Sequence, residues 1–145
     1  MRLELLLFCL VTISFSSGCV PGDSEFTRLS RCPQLTSGSQ SLKYSIGTFA
    51  DEGRVVFIRR GVSIPCLKAE KFVNKTKFSV KFSLSYFDGD GMDGDIVHPI
   101  GSFDVDGVGV NEGGTLWIKI DPEGNVDIMV EHNNADKKAL IRLKA

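Results

Sequence analysis

Six aspartates, Asp88, Asp90, Asp93, Asp95, Asp104 and Asp106, fall within a stretch that holds no lysine or arginine. The first four alternate with Gly89, Gly91, Met92 and Gly94. Ca²⁺ takes several hard oxygens on a pliable backbone, and an Asp/Gly turn between strands can supply carboxylates and carbonyls together. Asp104 and Asp106, two apart on an extended segment, would point the same way and add to the set. The spacing departs from the helix-loop-helix calcium pattern, because no Glu closes the loop and Met92 occupies a ligand slot. The competing reading is that Asp and Gly serve here as turn residues.

Other chemistry is sparse. His98 and His132 are the two histidines, they sit in unrelated contexts, and no Ser or Cys lies in a nucleophile motif. No paired His/Cys spacing suggests zinc. The chain therefore reads as non-catalytic. Trp117, the single tryptophan, together with Met129 could form a contact anchor for a protein or a sugar. Packing under a second layer, with a sulfur–aromatic contact, is the plainer role for that pair. A formal net charge of −1 removes any global electrostatic case for nucleic acid or an acidic membrane as partner.

The N-terminus speaks to location. Residues 1–18 read as a signal peptide, with Arg2 ahead of an apolar core and the small residues Ser16, Ser17 and Gly18 before a cut. Ser-Ser-Gly-Cys, ending at Cys19, resembles a bacterial lipobox, which implies lipid attachment at Cys19. It departs from that pattern at Ser16, where Leu is usual, and Glu4 weakens the basic start. Cys9 leaves with the signal, so lipidation of Cys19 would leave Cys32 and Cys66 as an even pair, able to form a disulfide in an oxidising compartment. Residues 19–41, polar and rich in Ser, Gly and Thr, then read as a tether. Asn74-Lys75-Thr76 is an N-glycosylation sequon that has meaning only in a eukaryotic secretory route.

The elements that must position these residues are strands. Phe78, Val80, Phe82, Leu84 and Tyr86 alternate with Ser79, Lys81, Ser83 and Ser85, the period-two pattern of a strand with one buried face. Segments 42–49 and 54–59 read as a hairpin around Asp51, Glu52 and Gly53, with Phe49 facing Val55, Ile46 facing Ile58 and Gly47 opposite Phe57. Val62, Ile64 and Cys66 alternate into a third strand. Residues 68–77 form a basic connection, with Lys68, Lys71, Lys75 and Lys77 followed by Lys81 on the next strand. Two short strands, 96–100 and 102–105, flank Gly101, and an irregular connection follows.

Segments 116–120 and 126–130 form a second hairpin around Pro122, Glu123 and Gly124, whose chemistry suits a type I turn closed by a left-handed glycine. That turn pairs Ile120 with Val126, Ile118 with Ile128 and Leu116 with Val130 on the inner face. Lys119 pairs with Asp127, and Trp117 with Met129, on the outer face. A last strand, 138–143, closes a domain of residues 42–145. The expectation is an all-β, antiparallel two-sheet β-sandwich of about eight strands.

The functional expectation is an exported binding module, anchored to the cell envelope by lipid at Cys19 and contacting another protein. Two alternatives stand beside it: a calcium-dependent, lectin-like carbohydrate-binding module, and a soluble secreted effector or inhibitor acting on a host protein.

Overall fold

The computed structural model describes Gly22 and residues 25–50, 53–88 and 96–144. The expected signal peptide, Cys19, and Asp90, Asp93 and Asp95 lie outside the described residues. Among the described residues nine strands are formed: β1 (Thr27–Arg31), β2 (Ser45–Ala50), β3 (Gly53–Ile58), β4 (Cys66–Val73), β5 (Val80–Phe87), β6 (Val97–Asp106), β7 (Gly113–Ile120), β8 (Asn125–His132) and β9 (Leu140–Leu143). They make two sheets, a four-stranded one ordered β1-β8-β7-β4 and a five-stranded one ordered β3-β2-β5-β6-β9, and every pairing is antiparallel. The architecture is the expected all-β sandwich.

The core is the apolar layer between the sheets. β7 and β8 contribute Leu116, Ile118, Ile120, Val126, Ile128 and Val130; β5 and β6 contribute Val80, Phe82, Leu84, Phe103 and Val105. Phe72 meets Phe82 edge to face at 5.2 Å, and Phe82 stacks on Phe103, also at 5.2 Å. This run of rings carries packing from the edge strand of the smaller sheet into the middle of the larger one. Fully burying aliphatic and aromatic side chains of this size is worth about 1.5–3 kcal/mol each before chain entropy is counted.

The β7–β8 hairpin has the expected register throughout, from Leu116 opposite Val130 to Ile120 opposite Val126. Asp121 organises its turn: its Oδ1 accepts the backbone N–H of Glu123 and of Asn125, and its carbonyl accepts the N–H of Gly124. Gly124 has φ of 80°, the left-handed conformation expected of it.

Elsewhere the expectations need correction. The β2–β3 turn is shorter than expected, since Gly53 already pairs with Ala50 and Phe49 stands opposite Arg54 rather than Val55. Gly47 stands opposite Val56, and an irregularity at Phe57 restores Ile46 to Ile58. The extra residue lets the neighbours Phe57 and Ile58 both enter the core, each 4% exposed. Residues 62–66 form no strand before Cys66; only an isolated bridge joins Ser63 to Ser41. The expected basic connection is largely β4, whose Lys68 and Glu70 share the inward parity of Cys66 and Phe72 and pair at 3.8 Å. Inward charges on an edge strand discourage the addition of a further strand.

The two short strands around Gly101 are one strand, β6, in which Ile100 is bulged: Leu84 pairs with Gly101 and Ser85 with Pro99. The bulge explains how Ile100 and Phe103, three residues apart, both face the core. Phe78 does not join the buried row. It is 70% exposed, because its carbonyl is held in a turn by the side chains of Asn74 and Thr76 before β5 begins.

The segment expected as a tether is, from Thr27 onward, part of the domain. β1 pairs with β8, and a 3-10 turn, Pro33–Leu35, drives Leu35 into the core at 0% exposure. The N–H of Cys32 donates to the Gly124 carbonyl at the tip of the β7–β8 hairpin. Composition misled here because β1 has few large apolar residues; it is recruited by backbone pairing and by Leu29 and Leu35.

Candidate functional site

The aspartates divide between the two ends of the β5–β6 hairpin. Asp88 lies at the turn end, with its carboxylate 3.7 Å from His98. Asp104 and Asp106 lie at the other end of β6, eight or so residues further on, which is roughly 26 Å along a strand. Each already has a cation from beyond the hairpin: Lys144 at 3.2 Å from Asp104, and Arg142 at 2.5 Å from Asp106. Antiparallel geometry therefore removes Asp104 and Asp106 from any calcium site built on Asp88. Among the described residues no group of three His, Cys, Asp or Glu side chains is placed to hold a metal.

Cys32 and Cys66 are free thiols, which corrects the expected disulfide. Cys32 follows β1 and Cys66 begins β4, the two outer strands of the smaller sheet, with β8 and β7 between them. Strand spacing of about 4.8 Å sets such positions well beyond the roughly 7 Å that a disulfide tolerates between Cα atoms. Burial pushes the Cys66 thiol up to about 11, so it behaves as a small apolar side chain and not as a nucleophile.

Asn74 is a structural residue. It is 2% exposed, and its Nδ2 donates to the carbonyls of Val108 at 2.7 Å and Phe78 at 3.0 Å. Its Oδ1 accepts from the backbone N–H and the hydroxyl of Thr76. A glycan needs that same nitrogen and an exit to solvent, so the folded domain has no place for one at Asn74. The Thr of the apparent sequon is there to close the turn.

His132 belongs to a similar hub. Its side chain is 2% exposed; Nδ1 accepts the N–H of Asn134, leaving Nε2–H to donate to Glu112 at 3.0 Å. The Glu112 carboxylate also accepts from Lys137 and from the backbone N–H of Gly109. The Lys137 hydrogen bond, then the Gly109 N–H, then His132 hold that carboxyl down at about 2. This cluster ties the 107–112 loop to the 132–137 turn and leaves neither His132 nitrogen free for proton transfer.

Trp117 and Met129 pair across β7 and β8 on the face turned away from the core, as expected. They are nevertheless buried, at 9% and 6% exposure, and among the described residues the Trp117 indole N–H has no hydrogen-bond partner. Beside them runs a charged row in which Asp127 pairs with Arg28 and lies 3.9 Å from Lys119. The Lys119 ammonium sits 4.7 Å from the centre of the Phe26 ring.

One surface cluster escaped the sequence reading. On the outward face of the larger sheet the rings of Phe49 and Phe87 meet edge to face at 5.9 Å, on the diagonal across the side-chain-free Gly47. The Arg54 guanidinium lies 5.6 Å from the first ring centre and 5.3 Å from the second. Phe87 is fully buried, whereas Phe49 is 52% exposed. The β2–β3 register sets Arg54 opposite Phe49, and the pairing of β2 with β5 brings Phe87 to it. At the other side of this strand end, Tyr86 stacks on His98 at 4.6 Å and takes a hydrogen bond from Gln34 at 3.1 Å. No helix among the described residues is long and apolar enough to cross a membrane. No protein-family model and no curated protein matches this chain.

Proposed function

We propose that the protein is an exported, non-catalytic binding module, held at the cell envelope by lipid on Cys19, which contacts another protein through Phe49 and Arg54. The observation that carries this reading is the half-exposed Phe49 ring, braced by Phe87 and capped by Arg54 on an outward sheet face. Aromatic and arginine side chains on rigid strands are the usual anchors of protein interfaces, because they bring large contact area with little conformational freedom to lose. The Ser-Ser-Gly-Cys motif supports the anchor.

A photo-reactive amino acid at position 49, in cells that produce the protein, tests the contact. The expected result is a discrete adduct that is absent when the probe is placed at Arg142, an exposed site at the far end of the same face. Equal adducts at both positions overturn the assignment of the surface. In the purified pair, Phe49→Ala is expected to weaken binding by about 2 kcal/mol, some thirty-fold. Labelled fatty acid should enter the wild-type chain and not Cys19→Ser; a wild-type chain that takes up no label overturns the anchor while leaving the Phe49 contact standing.

A further inference from the structure

Three exposed apolar side chains gather at one end of the sandwich. Phe78 and Leu140, 70% and 62% exposed, are the most exposed large apolar residues among the described ones, and Val110 is 45% exposed. They come from separate connections: Phe78 from the turn between β4 and β5, Val110 from the loop between β6 and β7, and Leu140 from the start of β9. Pairing brings these connections to the same end, with Val73 opposite Gly113, Val80 opposite Val105 and Leu140 opposite Asp106. Apolar residues exposed singly need no explanation, whereas a group of them marks a contact surface. Buried polar groups hold this one in place. Asn74 donates to the carbonyls of Phe78 and Val108, and its own carbonyl accepts the N–H of Asn111 at 2.7 Å. Glu112 joins the second loop to His132 and Lys137, and Gly107 lies so close to Lys138 that a Cβ there would stand 2.4 Å from the Lys138 carbonyl oxygen. Tips fixed in this way lose little conformational entropy on contact.

The charges beside the tips decide what they fit. Lys75 and Lys77 flank Phe78, and Lys137 and Lys138 precede Leu140, all of them exposed. In these three connections the acids are Glu112, already bound by Lys137, and Asp136. Asp51 and Glu52, between β2 and β3, oppose a positive field over the end as a whole, so the lysines act on whatever lies next to Phe78 and Leu140. Lysine is depleted in the cores of protein interfaces, which makes such a border a poor one for a protein partner. It suits a phospholipid surface, where an apolar ring enters the acyl boundary and neighbouring ammonium groups meet the headgroup phosphates. The course of the chain agrees. β1 runs from Thr27 opposite Ile128 to Arg31 opposite Asn125, away from this end, so the chain enters β1 from the side of the tips.

We propose that this end of the sandwich docks on a phospholipid bilayer, with Phe78, Val110 and Leu140 entering the interface and Lys75, Lys77 and Lys138 on the lipid phosphates. Docking by an end stands the domain upright on the surface and leaves both sheet faces, that of Phe49 included, open to a protein partner. It also gives the Asn74 and Glu112 clusters a purpose beyond closing turns, since they set the tips at one level. The inference goes beyond the anchored-module reading and does not rest on it: the contact is made by side chains of the folded domain and needs neither lipid on Cys19 nor a partner at Phe49.

The test uses the full chain carrying Cys19→Ser, so that no attached lipid contributes. Sedimentation with vesicles of phosphatidylcholine containing phosphatidylserine as the minor component measures the partition. The Cys19→Ser chain is expected to sediment with the vesicles, and adding Phe78→Ser is expected to lower the partition about ten-fold. Val62→Ser, which removes an exposed apolar side chain on the connection at the opposite end, is expected to leave it unchanged. A Cys19→Ser chain that stays in solution overturns the proposal, and so do equal losses for Phe78→Ser and Val62→Ser. Phe78→Trp is the independent readout: its added emission is expected to shift to the blue on mixing with vesicles and to be quenched by lipids brominated in their acyl chains. Emission that ignores both overturns the proposal even if Phe78→Ser misfolds. Failure of fatty-acid labelling at Cys19, or of cross-linking at Phe49, leaves each of these results where it stands.

Discussion

At the scale of single residues, the polar side chains that matter most are bound inward. Glu112 takes hydrogen bonds from Lys137, the Gly109 N–H and His132, and these hold its carboxyl at about 2 instead of the ordinary 4.5. A carboxyl whose folded value lies below its unfolded one stabilises the fold fully above the unfolded value and loses that contribution as pH falls toward the folded one. The melting temperature of the wild type is therefore expected to exceed that of Glu112→Gln at neutral pH, with the gap closing between about pH 4.5 and 2. A gap that stays constant across that range would show that the ionised form of Glu112 is not what the cluster requires. Asn74 teaches the same lesson without a charge. As a sequence motif it is a sugar acceptor; as a buried amide it satisfies two carbonyls that would otherwise be orphaned. Burial separates the two meanings, and burial cannot be read from three residues.

At the scale of elements, hairpins were legible where turn chemistry was unambiguous. Asp121, Pro122 and Gly124 leave one way to close β7 onto β8, so every partner from Leu116 to Ile120 could be assigned in advance. The β2–β3 hairpin has Asp51, Glu52 and Gly53, which serve a two-residue or a three-residue loop equally well, and the register came out one residue off near the turn. The bulge at Phe57 absorbs that slip, and it makes Gly47 a position of close approach. A Cβ there would stand 2.0 Å from the Val55 carbonyl oxygen, a backbone atom that cannot move aside without breaking the pairing. Gly47→Ala is expected to lower stability by about 3 kcal/mol or more, measured by urea unfolding. A loss below about 1 kcal/mol would mean that β3 can shift its register without harm. The bulge at Ile100 similarly hid a ten-residue strand as two short ones, because Pro99 and Gly101 look like breakers until the partner strand is known.

At the scale of the whole molecule, the question is which strands become neighbours. β1 and β4, far apart in sequence, take the two edges of one sheet and carry Cys32 and Cys66 to opposite sides of the β8–β7 pair. A disulfide closing a loop of about thirty residues would stabilise the fold by roughly 3–4 kcal/mol. Dithiothreitol is accordingly expected to leave the melting temperature unchanged, and both thiols should react with a maleimide once the protein is denatured without reductant. A clear drop in melting temperature on reduction would restore the disulfide. The same order explains the fate of the aspartates, since an antiparallel hairpin sends the start and end of β6 to opposite ends of the sandwich.

What the sequence by itself determined is the class of fold and the faces of its best strands. Period-two alternation and turn chemistry act over a few residues, so Ile118 had to point inward and Trp117 outward whatever the neighbours were. Tertiary structure alone decided which faces meet. It drew β1 out of a polar stretch, set Phe87 and Arg54 around Phe49, parted Asp104 and Asp106 from Asp88, and buried Trp117 on an outward face. The physical reason is that strand order and bulges are settled by packing between segments distant in sequence. Local pattern sets a side chain's direction, and it carries no information about what lies at the other end of that direction.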